Sequence, residues 1–151
     1  MVIHNISLPP NQFGGTYIEQ FFCGQLDKNQ HAYFAEIADM RVSAHCLIKR
    51  DGKIVQFVPF SGRAWHAGKS SFQGRSTCND YSIGIELEGC DTVDYSVEQY
   101  HSLVDLSRHI ITYYPQITLS RMVGHNDIAP GRKSDPGSAF NWPLYRQMLL
   151  G

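Results

Sequence analysis

Seven histidines stand in a chain of 151 residues, and two of them occupy positions where an imidazole could bind a ligand. His4 closes the apolar start Met1-Val2-Ile3, and a histidine at a strand end projects toward whatever the following loops enclose. His125 opens the polar run Asn126-Asp127-Ile128-Ala129-Pro130-Gly131-Arg132-Lys133-Ser134-Asp135-Pro136-Gly137. A run with so little apolar content needs something other than packing to order it, and a bound cation would serve. Catalytic zinc takes three protein ligands from His, Asp or Glu and keeps a fourth position for water. His4, His125 and Asp135 are chemically such a set. Spacing does not single them out, because there is no HExxH pair and the two histidines meet only if distant strands adjoin. A core imidazole bonded to backbone and an aspartate capping a turn before Pro136 stay open as alternatives. Glu86 and Glu88 are a further candidate: two residues apart in an alternating segment, they share one side of a strand.

The elements that must position these residues are readable in outline. Val2 to Asn5 reads as a strand. Thr16 is placed to cap a short helix through Tyr17, Ile18, Phe21 and Phe22, which Gly24 would end. Cys46 to Lys49 and Ile54 to Val58 flank Asp51-Gly52, a pair that supplies the positive backbone angles of a tight hairpin turn. Tyr81 to Gly89 alternates, with Ile83, Ile85 and Leu87 on one face and Gly84, Glu86 and Glu88 on the other. Ser96 with Gln99 three residues later is a capping box. Behind it Val97, Tyr100, Leu103, Val104, Ile110, Ile111 and Tyr114 recur at helical spacing up to Pro115. Met122 to His125 reads as a last short strand. Trp142 to Leu150 reads as a final helix with Pro143 in its first turn. Strands interleaved with helices predict an α/β fold, a central mixed sheet flanked by helices, as a single domain over residues 1–151.

Composition excludes several classes. Thirteen Lys+Arg against fourteen Asp+Glu leave a net charge of -1, which gives no basic field for nucleic acid or anionic lipid. Hydrophobic residues at 42% and charged residues at 18% suit a globular core. No stretch approaches a membrane span, and Met1-Val2-Ile3-His4 lacks the charged start and apolar run of a signal peptide. The expectation is a cytoplasmic monomer. Cys23, Cys46, Cys78 and Cys90 have no CxxC pairing and read as free thiols.

Five segments read together are more specific. Val2-Ile3-His4-Asn5-Ile6-Ser7-Leu8-Pro9-Pro10, Arg41-Val42-Ser43-Ala44-His45-Cys46-Leu47-Ile48, Arg63-Ala64-Trp65-His66-Ala67-Gly68, Cys78 to Gly89 and Gly124 to Gly137 closely resemble, in order, the AmpD-type N-acetylmuramoyl-L-alanine amidases. That family also includes phage lysozyme-like amidases and peptidoglycan recognition proteins. The resemblance implies a zinc ion (Zn2+) held by His4, His125 and Asp135, Glu86 as general base and Lys133 as a fixed positive charge for the oxyanion. These roles make chemical sense. Zinc lowers the pKa of bound water to about 7, and a glutamate raised by partial burial and by the like charge of Glu88 can take that proton.

The implied substrate is a muropeptide, cut at the amide between the lactyl group of (1,6-anhydro-)N-acetylmuramic acid and L-alanine during cell-wall recycling. Asn5, Arg41 and Arg132 are the residues to hold it, since a guanidinium grips a carboxylate as a fork. Thr77 stands where the family tends to carry an arginine, with Arg75 two residues away as the nearest replacement. His45 and His66 read as structural or supporting the ligands, and Trp65 as core or pocket wall. A non-catalytic recognition module is the main rival. The intact ligand set argues against it.

Overall fold

The computed structural model describes residues 1–151. The apolar start forms β1 (Val2–Ile6). α1 (Tyr17–Phe22) follows and buries Ile18 and Phe21, although Thr16 makes no side-chain cap bond. α2 (Ala32–Ile37) has no counterpart in the sequence reading. It shows only Phe34 and Ile37 to the core, and its cap is the ring of His31, which accepts the Tyr33 N–H. Six residues with two buried apolar positions carry too little period to read.

β2 (Cys46–Ile48) and β3 (Ile54–Gln56) make the expected antiparallel hairpin. A second hairpin of two-residue strands, β4 (Ser71–Phe72) and β5 (Arg75–Ser76), was beyond the reach of any periodicity. β6 (Gly84–Glu88) is followed by α3 (Val97–Tyr113), whose capping box joins Ser96 and Gln99 as expected. β7 (Val123–Gly124) is shorter than the predicted strand. His125 instead opens α4 (His125–Ile128), where a loop was expected. α5 (Trp142–Leu150) starts at Asn141, whose side chain accepts the Leu144 N–H.

The main sheet runs β3-β2-β6-β1-β7. β2, β6, β1 and β7 are parallel, and β3 closes one edge antiparallel, so the sheet is mixed, as the interleaving predicts. Alternation then sorts side chains by face. Ile3, Cys46, Ile48, Ile83, Ile85 and Leu87 enter the larger core with Leu103, Val104 and Ile110 of α3 and Tyr145 and Leu149 of α5. Each such aliphatic side chain stabilises by roughly 1.5–3 kcal/mol when withdrawn from water.

On the other face Leu47 packs with Phe21, Phe34 and Ile37 of α1 and α2. The polar members of that face, His4 and Glu86, are register partners on β1 and β6. The sheet thus brings a histidine of the first strand beside a glutamate more than half the chain away. The neighbouring pair Ile3 and Gly124 on β1 and β7 places His125 at the same carboxyl ends, the usual location of ligand sites in open parallel sheets.

Candidate active site

Three ligand-type atoms converge at those strand ends. His4 Nδ1 lies 2.9 Å from His125 Nδ1 and 3.2 Å from Asp135 Oδ2, and His125 Nδ1 lies 3.0 Å from Asp135 Oδ2. These are separations that a metal ion could bridge, since tetrahedral zinc at ordinary bond lengths puts its ligand atoms about 3.3 Å apart. His4 and His125 are buried and Asp135 half-buried.

The outer nitrogens are also occupied. His125 Nε2 lies 3.0 Å from the Ala67 carbonyl and donates to it. His4 Nε2 lies 2.8 Å from His66 Nδ1. Burial pushes the His4 imidazole down to about 4 and His66 down to about 2, so both rings are neutral at neutral pH. Burial also opposes ionisation of Asp135, but the two histidines outweigh it and hold the carboxyl well below its usual range. An anion and two inward lone pairs within hydrogen-bond distance of one another are a donor set that fits a cation.

Glu86 is 8% exposed and its Oε2 has no hydrogen-bond partner. Burial first, and the charge of Asp135 second, raise its carboxyl well above the ordinary value, with Lys133 opposing. Glu88 is not the cause expected from the sequence. Its carboxylate accepts the backbone N–H groups of Gly14 and Arg50 and is almost fully buried, so it ties two loops together behind the site.

The loop after β7 is ordered by the protein itself rather than only by a prospective cation. Asp127 accepts the Gly124 N–H, and the Asp135 carbonyl accepts the Asn126 N–H. The Pro136 carbonyl accepts from Asn5 Nδ2 and from the Tyr95 hydroxyl. Ile128 and Ala129 are buried. Gly137, at φ +78, runs so close to Asp91 that a Cβ would lie 2.1 Å from its Cα.

A cleft of about 890 Å³ opens over this centre and includes Asn5, Arg41, Trp65, Glu86, Arg132 and Lys133 in its wall. Arg41 is exposed there. Arg132 donates from Nη2 to Ala67 O and from Nε and Nη2 to Lys69 O, so most of its fork is already engaged. Asn5 also donates to Asp91. Trp65 is 58% exposed, with the Arg63 guanidinium 3.8 Å over its ring. It belongs to the wall and not to the core.

A second cavity of about 920 Å³ lies elsewhere and contains Arg75 and Tyr81. Arg75 stacks 4.0 Å over Tyr81 and lines this second cavity rather than the cleft over the His/His/Asp centre. Cys46, beside His45, is buried and its thiol is pushed up to about 12, which leaves no thiolate nucleophile. All four cysteines are free.

The sequence reading did not single out Asn79. It is 5% exposed, and its Oδ1 accepts the backbone N–H groups of both His66 and Ala67. The segments Arg63 to Gly68 and Cys78 to Gly89 carry the resemblance through this part of the site, but neither gives Asn79 a role.

A mixed α/β sheet with a metal-ready His/His/Asp centre and a raised carboxyl at its strand ends defines a hydrolase class. Residues 1–138 match the N-acetylmuramoyl-L-alanine amidase family. The chain is 58% identical over 149 residues to the 1,6-anhydro-N-acetylmuramyl-L-alanine amidase AmpD of Escherichia coli, covering 99% of this chain and 81% of the relative. A crystal structure of a selenomethionine AmpD derivative superposes with a TM-score of 0.95 at 57% identity, covering 98% of this chain and 82% of that one. The complex of the Escherichia coli amidase AmiD with anhydro-N-acetylmuramic acid-L-Ala-D-γ-Glu-L-Lys gives 0.69 at 32% identity, over 97% of this chain and 55% of that one. The chain belongs to the N-acetylmuramoyl-L-alanine amidase family, and it is an amide hydrolase. No helix is long and apolar enough to cross a membrane.

Proposed function

We propose that this chain is a zinc-dependent amidase that cleaves the bond between the lactyl group of 1,6-anhydro-N-acetylmuramic acid and the L-alanine of the stem peptide, in peptidoglycan recycling in the cytoplasm. The observation that carries the reading is the convergence of His4 Nδ1, His125 Nδ1 and Asp135 Oδ2 within 3.2 Å of one another, beside a buried carboxyl raised well above its ordinary value. The 58% identity to AmpD and the anhydromuramyl peptide bound to AmiD support the choice of substrate.

His4, His125 and Asp135 would hold the zinc ion. When bound, such an ion acidifies a coordinated water and polarises an amide carbonyl. Glu86 accepts the proton as the nucleophile attacks and returns it to the departing amine, a cycle that a carboxyl raised by burial above its ordinary value favours. Lys133, exposed at the cleft wall, supplies positive charge to the oxyanion of the tetrahedral intermediate. Arg41 is the guanidinium left to take a peptide carboxylate. Arg132 serves mainly to hold the late loop to the carbonyls of Ala67 and Lys69. Asn5 fixes the Pro136 carbonyl at the edge of the cleft.

The test is incubation of the purified protein with an anhydromuramyl-tripeptide, before and after chelation and after zinc is restored, with mass spectrometry for free peptide. Release that stops on chelation and returns with zinc is expected. No release from a folded, zinc-loaded protein would overturn the reading and favour a recognition module.

A further inference from the structure

Both prospective metal histidines are aimed from behind by one dipeptide. His66 Nδ1 is 2.8 Å from His4 Nε2, and the Ala67 carbonyl is 3.0 Å from His125 Nε2. That dipeptide lies outside every regular element. Its two N–H groups both end on a single atom, Asn79 Oδ1, at 3.0 and 2.8 Å. We propose that Asn79 is a positioning residue of the metal centre, fixing through His66 and Ala67 the outer hydrogen-bond acceptor of each ligating histidine. The inference rests on the zinc site proposed above.

Hydrogen-bond direction makes the link specific. The Ser82 hydroxyl donates to the Cys78 carbonyl at 2.6 Å, so at 3.2 Å from His66 Nε2 it can only accept. His66 therefore carries its proton on Nε2 and presents an Nδ1 lone pair to His4. His4 in turn must carry its proton on Nε2, and its Nδ1 faces His125 and Asp135 with a lone pair. A carbonyl accepts only, so the Ala67 oxygen gives His125 the same tautomer.

The site has no slack for another His66 position. A Cβ on Gly84 would lie 2.3 Å from His66 Cγ, so the ring lies flat on the one residue of β6 that admits it. Asn79 is held in turn by a short turn of 3-10 helix over Cys78–Asp80. Outer partners of metal-bound histidines set ring orientation and basicity, and losing one costs about 10–100-fold in metal affinity.

The experiment compares zinc affinity, by competition with a chromophoric chelator, in the wild type, Asn79→Ala and Asn79→Asp. Asparagine to aspartate keeps the accepting oxygen. Asn79→Ala is expected to bind zinc about 10–100-fold more weakly, with Asn79→Asp recovering most of the loss. In the double variant of Asn79→Ala with His66→Phe the losses should be less than additive, because His66 is one of the two routes through which Asn79 acts. Nitrogen-15 spectra of the zinc-loaded wild type should show His4, His66 and His125 protonated on Nε2. Equal zinc affinity in Asn79→Ala and wild type would overturn the inference. So would an Nδ1-protonated His66, a readout that stands even if Asn79→Ala does not fold. A wild type that takes up no zinc overturns the proposed function itself, and this inference with it.

Discussion

Glu86 sits in the cleft wall where water barely reaches, with one oxygen unpartnered. The same burial that makes it a usable proton acceptor opposes its ionisation in the folded state. Glu86→Gln should therefore retain zinc while turnover falls by roughly 10²–10⁴-fold, the range of a positioned acid-base group. Metal analysis alongside kinetics checks it, and near-wild-type turnover would remove the role. Asp135→Ala should lose zinc and activity together, since it deletes the one anionic ligand. A variant that keeps one equivalent of metal would exclude Asp135 from the set. The sequence shows both residues as candidates, but it does not show why Glu86 is raised. Alternation places Glu86 and Glu88 on one face, whereas only packing reveals that Glu88 is taken up by the Gly14 and Arg50 N–H groups.

At the scale of elements, those with length or special chemistry are legible. α3 has seventeen residues, enough for its period and capping box to show, and Asp51-Gly52 announces its hairpin. α2, β4 and β5 are too short for periodicity, and they are fixed by tertiary contacts rather than by local pattern. The turn that carries Asn79 is a case of this kind. It opens at Thr77, which holds φ +61 without a side-chain cap bond. A β-branched residue in the left-handed region costs about 1–2 kcal/mol, whereas asparagine tolerates it. Thr77 is exposed and lies outside the cleft wall. Thr77→Asn is expected to stabilise by about 1 kcal/mol and raise Tm by roughly 2–4 °C, with amide hydrolysis unchanged. A calorimetric scan that shows a lower Tm would mean that the turn depends on threonine itself.

For the whole molecule, the functional centre sets how stability follows pH. His4 and His66 are pushed by burial to about 4 and about 2, so between about pH 5 and pH 6 they are neutral when folded and largely protonated when unfolded. Unfolding there takes up between one and two protons, and stability rises with pH. Glu86 works in the opposite sense. Raised when folded, it holds its proton to higher pH than the unfolded chain does, which opposes the histidines. The metal-free Glu86→Gln variant should then gain stability with pH more steeply than the metal-free wild type, at about 2 kcal/mol per pH unit from the two histidines alone. His45, also lowered by burial, adds to both. Urea unfolding of the chelated proteins across the window measures the two slopes. A variant slope no steeper than that of the wild type would mean that burial does not raise the Glu86 carboxyl, and the argument that the fold tunes its basicity would be gone.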